Sequence, residues 1–283
     1  MALVTTDDML KKAKQGKYAI GAFNAENMEM LQAIIEAAEE AKSPVIIQTS
    51  TSTMGYADFA YYVKMLEVAT KETDVPVALN FDHCMEFDHA MQALKAGYTS
   101  IMIDGSKRNF ADNIAVTKQV VAPCKAVGIP VEAELGYVGG KEHDIDMGVE
   151  GYTNPQEALQ FSNETGISSL AVSIGTQHGT YTAEPNLDIK RLKEISETID
   201  IPLVLHGGSG LTISQLKQCI QNGISKVNFA AELRKAYTQA LKTSMQENEA
   251  IDPKVHGVLG KKKVKEIVKE KLEICGSIGK AIE

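Results

Sequence analysis

Eight short runs rich in aliphatic and β-branched residues recur along this chain. Each is followed by a stretch with helical periodicity. This alternation constrains the fold more than any other feature. The runs are YAIGAFN (18–24), PVIIQTS (44–50), PVALNFDH (76–83), SIMIDGS (100–106), PVEAELG (130–136), SLAVSIG (169–175), PLVLHGGSG (202–210) and KVNFA (226–230). Val, Ile, Leu and Ala dominate each run with little alternation, the signature of strands buried on both faces. Between them lie amphipathic segments such as MEMLQAIIEAAEEAK (28–42). There Met30, Ile34, Ala37, Ala38 and Ala41 share one helical face, while Glu36, Glu39, Glu40 and Lys42 leave it. Pro44, Pro76, Pro130 and Pro202 open four of the runs, where a missing N–H costs little. Gly97, Gly128, Gly166 and Gly223 stand where helices should end. Strand–helix units in series make a parallel sheet, and eight is the number that closes a (β/α)8 barrel. The expected fold is therefore α/β: a single (β/α)8 TIM barrel over 1–283, with an N-terminal helix at about 5–15 plugging its bottom and a C-terminal helical extension at about 255–275. A length of 283 residues suits one such barrel, which takes ~250 residues. A doubly wound open sheet is the structural alternative.

Composition narrows the function classes. With 44% apolar and 23% charged residues the chain is ordinary globular protein, which excludes disorder, collagen and coiled coil. A net charge of −8 argues against a nucleic-acid partner. It also means that an anionic substrate needs locally concentrated positive potential. Cys84, Cys124, Cys219 and Cys275 are widely spaced, with no CxxC pair, and read as buried thiols of a reducing compartment. The opening residues, MALVTTDDMLKKAK, carry no apolar core of a signal peptide, and no apolar run is long enough for a membrane span. A cytoplasmic protein with no membrane partner is expected.

In a barrel the active site forms at the C-terminal ends of the strands. Here those ends carry Asn24, Ser50, Asp82, His83, Asp104, Ser106, Glu132, Glu134, His178, His206 and Asn228. Three of the six histidines, His83, His178 and His206, fall at this mouth; His89, His143 and His256 do not. Three imidazoles with an open position make a catalytic zinc site. Asp82 beside His83 is either a ligand or a general base. Asp104 and Glu134 would orient a histidine or bind a second cation. Glu132 is read as an ion-pair partner inside the barrel, although it shares a face with Glu134 by the two-residue strand period. GGSG (207–210) after the seventh run and NFAAEL (228–233) after the eighth each lead into a helix. Loops at these positions usually cradle phosphate, with backbone N–H groups holding the anion. GYVGGKEHDIDMGVEGY (136–152) reads as a long glycine-rich loop able to act as a lid.

These pieces resemble the class II, zinc-dependent ketose-bisphosphate aldolases, the fructose- and tagatose-bisphosphate aldolase family. The matching segments run nearly the whole chain: GAFN (21–24), IIQTS (46–50), DH (82–83), MIDGS (102–106), VEAELG (131–136), VGGKE (138–142), HG (178–179), LHGGSG (205–210), KVN (226–228) and GSIGKA (276–281). The resemblance implies Asp82 as the catalytic acid/base and His83, His178 and His206 as zinc ligands, with Asp104 and Glu134 at an alternative or second metal position. It implies that Gly179, Gly207, Gly208, Ser209, Asn228, Phe229, Ala230 and Ala231 hold dihydroxyacetone phosphate, with Asn24 and Ser50 lining the substrate site. Glu142 in the lid would assist proton transfer at C1 of the enediolate. It further implies zinc as cofactor, a second divalent cation and a monovalent cation as accessory ions, a phosphosugar substrate in central carbohydrate metabolism such as glycolysis, and a homodimer or homotetramer. The reaction is then reversible cleavage of fructose- or tagatose-1,6-bisphosphate to dihydroxyacetone phosphate and glyceraldehyde 3-phosphate. A lysine Schiff base is the other route to aldol chemistry, but the sixth run ends without lysine, and Lys107 and Lys226 are poorly placed.

Three departures from the family pattern stand out. Cys84 replaces a usual Gly, Ala231 a usual Thr, and Asp252-Pro253-Lys254 a usual Asp-Pro-Arg, where lysine cannot reproduce a bidentate fork. Ala230 resembles the tagatose branch more than the fructose branch. The donor half of the site therefore matches better than the aldehyde half. Two alternatives follow: a related aldolase acting on a different phosphorylated ketose or keto acid, or a phosphosugar-binding barrel without catalysis.

Overall fold

Eight parallel strands close into a barrel: β1 (Ile20–Asn24), β2 (Val45–Ser50), β3 (Val77–Cys84), β4 (Ser100–Ile103), β5 (Val131–Leu135), β8 (Ser169–Val172), β10 (Leu203–Leu205) and β11 (Ile224–Phe229). Around the ring they run β1-β11-β10-β8-β5-β4-β3-β2. The computed structural model describes residues 3–281 except 72, 143, 144, 147–150, 180, 182 and 183, and only the backbone of 140–142, 145 and 146. The open-sheet alternative is excluded, because β1 pairs with both β2 and β11. Each of the four prolines sits one residue ahead of its strand, where no ladder hydrogen bond is lost.

Eleven helices accompany the strands among the described residues: α1 (Thr6–Gly16), α2 (Met28–Ala41), α3 (Thr51–Tyr56), α4 (Phe59–Ala69), α5 (Phe87–Ala96), α6 (Phe110–Ala126), α7 (Pro155–Thr165), α8 (Ile189–Thr198), α9 (Ile213–Gln221), α10 (Ala231–Glu247) and α11 (Pro253–Cys275). Gly97 and Gly166 are the left-handed C-caps of α5 and α7 (φ 107° and 69°), a conformation that glycine adopts without a Cβ penalty. Helix α11 crosses back over α2, burying Val264, Val268 and Leu272. Here Glu36 and Glu40, which the periodicity sends to solvent, meet a row of lysines. Lys265 lies 3.3 Å from Glu36 and 2.7 Å from Glu40, and Lys269 lies 2.8 Å from Glu40.

Within the glycine-rich segment after β5, two short strands are described. β6 (Gly139–Glu142) pairs antiparallel with β7 (Ile145–Asp146) and parallel with β9 (Gln177–His178), making a small sheet above the barrel. Strand propensity does not foretell this; the pairing of Gly139 and Gly140 with Gln177 and His178 is between backbones.

At the opposite end α1 closes the barrel. Met9, Leu10 and Ala13 pack on Ile20, Ala22, Ile46 and Ala78, which form a buried cluster apart from the main core. The N–H of Val4 donates to the Val77 carbonyl (2.9 Å), and Lys14 Nζ caps the carbonyls of Ile199, Asp200 and Ile201 ahead of β10. Leu10 is 2% exposed. Leu10→Ala should therefore lower the unfolding free energy by about 2–5 kcal/mol, seen as a lower denaturant midpoint at unchanged m-value, with ligand affinity at the far end retained.

Candidate active site

Neighbouring strand residues point to opposite faces, yet Asp82 and His83 both line the mouth. A β-bulge reconciles the two. Against β4, Phe81 pairs with Ile101 and Cys84 with Ile103, so β3 carries one residue more than its partner. His83 absorbs the extra residue at φ 49°, a left-handed conformation uncommon for a side chain with a Cβ. Its N–H donates to Met102 Sδ (3.4 Å).

Three imidazoles meet here. The ring centroids lie 4.6 Å apart for His83 and His206, 4.9 Å for His83 and His178, and 5.8 Å for His178 and His206. Two are oriented by carboxylates. His83 Nδ1 lies 2.9 Å from Asp104 Oδ2, and Asp104 Oδ1 accepts from the Ser106 N–H (3.0 Å) and Oγ (2.6 Å). Burial opposes ionisation of Asp104, but the hydrogen bond and charge of His83, with help from Ser106, hold its carboxyl well below the usual range. His206 Nε2 lies 3.1 Å from Glu132 Oε1, and the other oxygen of Glu132 is 2.7 Å from Lys226 Nζ, an ion pair inside the barrel as the sequence suggests. Burial of Glu132 is likewise outweighed, here by the Lys226 charge and then by His206, and its pKa falls to about 2. Burial would depress His206, but Glu132 and Glu134 overcome it and raise its pKa to about 9.

Glu134 shares the inward face of β5 with Glu132. Its Oε2 lies 3.2 Å from His206 Nδ1, and neither atom has a properly aligned hydrogen-bond partner although both are buried. Burial first, and then the Asp104 charge, push its pKa up. One ligand atom each from His83, Glu134, His178 and His206 fall within 4.8 Å of one another. A buried imidazole nitrogen facing a buried carboxylate oxygen calls for a shared cation, and an imidazole-rich set with a carboxylate suits zinc. The residues fit that metal. Asp104 stands behind His83 rather than in this group.

Asp82 lies to one side, its Oδ2 4.0 Å from His83 Nε2. Gln48 Nε2 donates to Oδ2 (3.1 Å) and Asn228 Nδ2 to Oδ1 (3.4 Å). Gln48 Nε2 also lies 3.2 Å from Asn24 Oδ1, and Gln48 Oε1 accepts from Asn80 (3.2 Å). Gln48 and Asn80 are absent from the sequence-based site. A polar residue inside each apolar run is their only signal.

The loops after β9, β10 and β11 form the other wall. The mouth is an open cleft to which Gly179, Gly207, Ser209, Asn228, Ala230 and Ala231 contribute. Tyr181 Oη donates to the Gly207 carbonyl (2.8 Å), Gly208 N–H to the Asn228 carbonyl (3.1 Å), and Ala230 N–H to Ser209 Oγ (3.1 Å). Gly207 has φ 70°, and a Cβ there would overlap the Gln177 carbonyl. Arg234, which sequence reasoning passes over, also lines this cavity.

Other expected site residues lie elsewhere. The Phe229 ring is in the core, stacked on Phe23 with centroids 5.5 Å apart, and does not line the mouth. Ser50 Oγ is engaged with Ser52 and Thr53 at the start of α3. Lys254 is exposed at the start of α11, 2.8 Å from Asp252, and Gly208 lies behind the cavity wall. The side chain of Glu142 lies outside the described residues. Lys226, the one buried candidate for a Schiff base, is committed to Glu132. His256 is buried far along the chain in α11, between Ser244 Oγ (2.8 Å) and the Ala250 carbonyl (2.9 Å).

Comparison with known proteins agrees with this geometry. The family model of class II fructose-bisphosphate aldolase matches residues 4–280. The crystal structure of the YdjI aldolase from Escherichia coli K12 is similar over 99% of this chain and 100% of its own, at 38% identity and a TM-score of 0.89. Fructose-bisphosphate aldolase (Fba) from Campylobacter jejuni shares the fold over 99% of this chain and 97% of its own, with a TM-score of 0.83 at 23% identity.

The carboxylate behind His83 gives the site a direct test. Removing the group that fixes a ligand imidazole typically costs 10–100-fold in metal affinity. Asp104→Ala should weaken zinc binding by about that factor, measured by competition against a chromophoric chelator.

Proposed function

The chain belongs to the class II fructose-bisphosphate aldolase family, and from that membership and the geometry of its mouth we propose that it is a zinc-dependent aldolase cleaving a ketose 1,6-bisphosphate reversibly to dihydroxyacetone phosphate and glyceraldehyde 3-phosphate. The observation that carries the reading is the convergence of His83, His178, His206 and Glu134 beside a separate carboxylate, Asp82. A barrel that only binds a sugar phosphate has no use for an acid/base next to a metal group.

In this reading His83, His178 and His206 hold the zinc, with Glu134 at their side. Bound zinc supplies Lewis-acid stabilisation of the negative charge that develops on the substrate's carbonyl side when the carbon–carbon bond breaks. Asp82 takes the C4 hydroxyl proton during cleavage and returns it to the aldehyde oxygen during condensation. The N–H donors of Gln48 and Asn228 hydrogen-bond the Asp82 carboxylate and fix its direction. The bond electrons remain on the three-carbon donor, and a proton delivered to that carbon completes dihydroxyacetone phosphate, the role assigned to Glu142. The backbone N–H groups around Gly207, Ser209 and Ala231 hold the donor phosphate.

One observation favours a variant of this reading in which the acceptor is not a phosphorylated triose. Lys254 stands where the family pattern has an arginine, and it is paired with Asp252 away from the cavity. The aldehyde half of the mouth thus lacks that bidentate anion partner. For its setting we keep a cytoplasmic homo-oligomer. Four buried, unpaired thiols support the reducing compartment.

Two outcomes check the proposal. A chelator should abolish cleavage and zinc restore it, while borohydride with substrate traps no adduct; a panel of fructose and tagatose bisphosphates and the corresponding 1-phosphates then identifies the acceptor. Asp82→Ala should reduce turnover by about 10²–10⁴ with zinc content retained. Loss of the metal in that variant would make Asp82 a ligand instead.

A further inference from the structure

We infer that Lys271, on the C-terminal helix α11, is a positioning residue for the anionic end of the substrate: it neutralises Glu232 behind the loops of the mouth and so keeps those loops receptive to an anion. The inference rests on the donor phosphate lying at those loops.

Three observations carry it. First, Lys271 alone among the lysines of α11 is buried, at 5% exposure, and the chemistry proposed above makes no use of it. Burying an ammonium is costly unless it is paired. Its Nζ lies 2.9 Å from Glu232 Oε2, and the other carboxylate near it, Glu270 at 3.5 Å, is exposed to solvent. Second, Glu232 stands in the first turn of α10, next to Ala231 and close to the Ser209 hydroxyl. An acid in a first turn suits the helix dipole, but it works against an anion that the same helix N-terminus is to receive. Burial is the largest influence on the Glu232 carboxyl and raises its pKa; the Lys271 charge is the main counterweight, and Ser209 a smaller one. Third, Lys271 reaches the same loop by a second route. Its Nζ lies 5.7 Å from the centroid of the Phe229 ring, a cation–π distance. That ring packs against Gly208, where an added Cβ would come within 3.1 Å of it.

The arrangement ties a distant part of the chain to the mouth. Ser209 Oγ accepts from the Ala230 N–H, and Ser209, Ala230 and Ala231 all line the cleft. With Lys271 in place, the carboxylate beside Ser209 is half of a neutral pair. Without it, Glu232 stands uncompensated next to the backbone donors, and like charge opposes the anion they are to hold. Lys271 touches no substrate atom in this reading; it acts through Glu232.

The test is calorimetric titration of the zinc-loaded protein with dihydroxyacetone phosphate. Lys271→Met should weaken binding about tenfold, the scale of one uncompensated charge near the anion, while zinc affinity stays unchanged. Combining Lys271→Met with Glu232→Gln removes both charges and should restore affinity to within about twofold of wild type, a rescue that a merely structural role does not give. Lys262→Met removes an exposed lysine from the same helix and should shift affinity by less than about twofold. The inference falls if folded, zinc-loaded Lys271→Met binds as wild type does, or if Lys262→Met costs as much. It falls equally if the double variant binds as weakly as Lys271→Met, which makes the pair a structural tie only. Glu232→Gln decides the matter where Lys271→Met does not fold: it should bind equally or more tightly, and a loss of about tenfold overturns the inference. A wild-type protein that takes up zinc but does not bind dihydroxyacetone phosphate would remove the donor assignment itself, and this inference with it.

Discussion

The mouth of this barrel depends on an ion pair below it. Lys226 on β11 and Glu132 on β5 meet at 2.7 Å, and both are fully shielded from water. Such a pair adds little net stability, but removing either partner strands a buried charge at a cost of about 3–5 kcal/mol. Its value here is positional. One oxygen of Glu132 is committed to Lys226, so the other is fixed to receive the Nε2–H of His206. With Nε2 committed to Glu132, Nδ1 is the ring nitrogen turned toward Glu134, and it offers a lone pair once the ring is neutral. The direction in which His206 Nδ1 points is thus set, through Glu132, by a lysine buried below the mouth.

His83 uses the same device with the ring reversed. It gives Nδ1 to Asp104 and turns Nε2 toward the centre, whereas His206 gives Nε2 to Glu132 and turns Nδ1. The difference follows from the backbone. His83 sits past a bulge at φ 49°, while His206 directly follows the last residue of β10. The acids divide accordingly. Asp104 and Glu132 are held ionised by their partners, whereas burial and the Asp104 charge raise Glu134, leaving it as the carboxylate most in need of a cation.

Much of this is legible in the sequence, for a stated reason. A strand buried on both faces admits few polar residues, so His83, His206, Asp82 and Asn228 at the ends of apolar runs stand out. The same logic gives the eight strands, their proline entries and both terminal helices. It does not assign the acids, because Glu132 and Glu134 share one face and only the closed barrel shows which meets Lys226. Gln48 and Asn80 lie in plain view within IIQTS and ALNFD, but a buried amide there reads equally well as a core hydrogen bonder. The β6–β9 pairing is invisible because glycines carry no strand preference. Arg234 follows the anion motif at a position where a helix usually displays a solvated charge, and only the tertiary path of α10 brings it over the cavity.

The ring order of the barrel also sets which residues face each other across the mouth. Along β1-β11-β10-β8-β5-β4-β3-β2, β10 stands opposite β3, and β11 opposite β4. The glycine loops and the start of α10 therefore face Asp82, His83 and Asp104 across the mouth. The wall after β9, β10 and β11 carries backbone N–H groups with His178 and His206; the facing wall carries Asp82, His83 and Asp104. A phosphorylated ketose bound the other way round would set its anion against Asp82 and Asp104 and leave the backbone donors without an acceptor, an arrangement penalised by both charge repulsion and unmet hydrogen bonds. In the reaction proposed above, a phosphate on the β10–β11 side would direct the carbonyl and C4 hydroxyl toward the histidines and Asp82. The closed order of eight strands, more than any single contact, sets these two walls opposite one another.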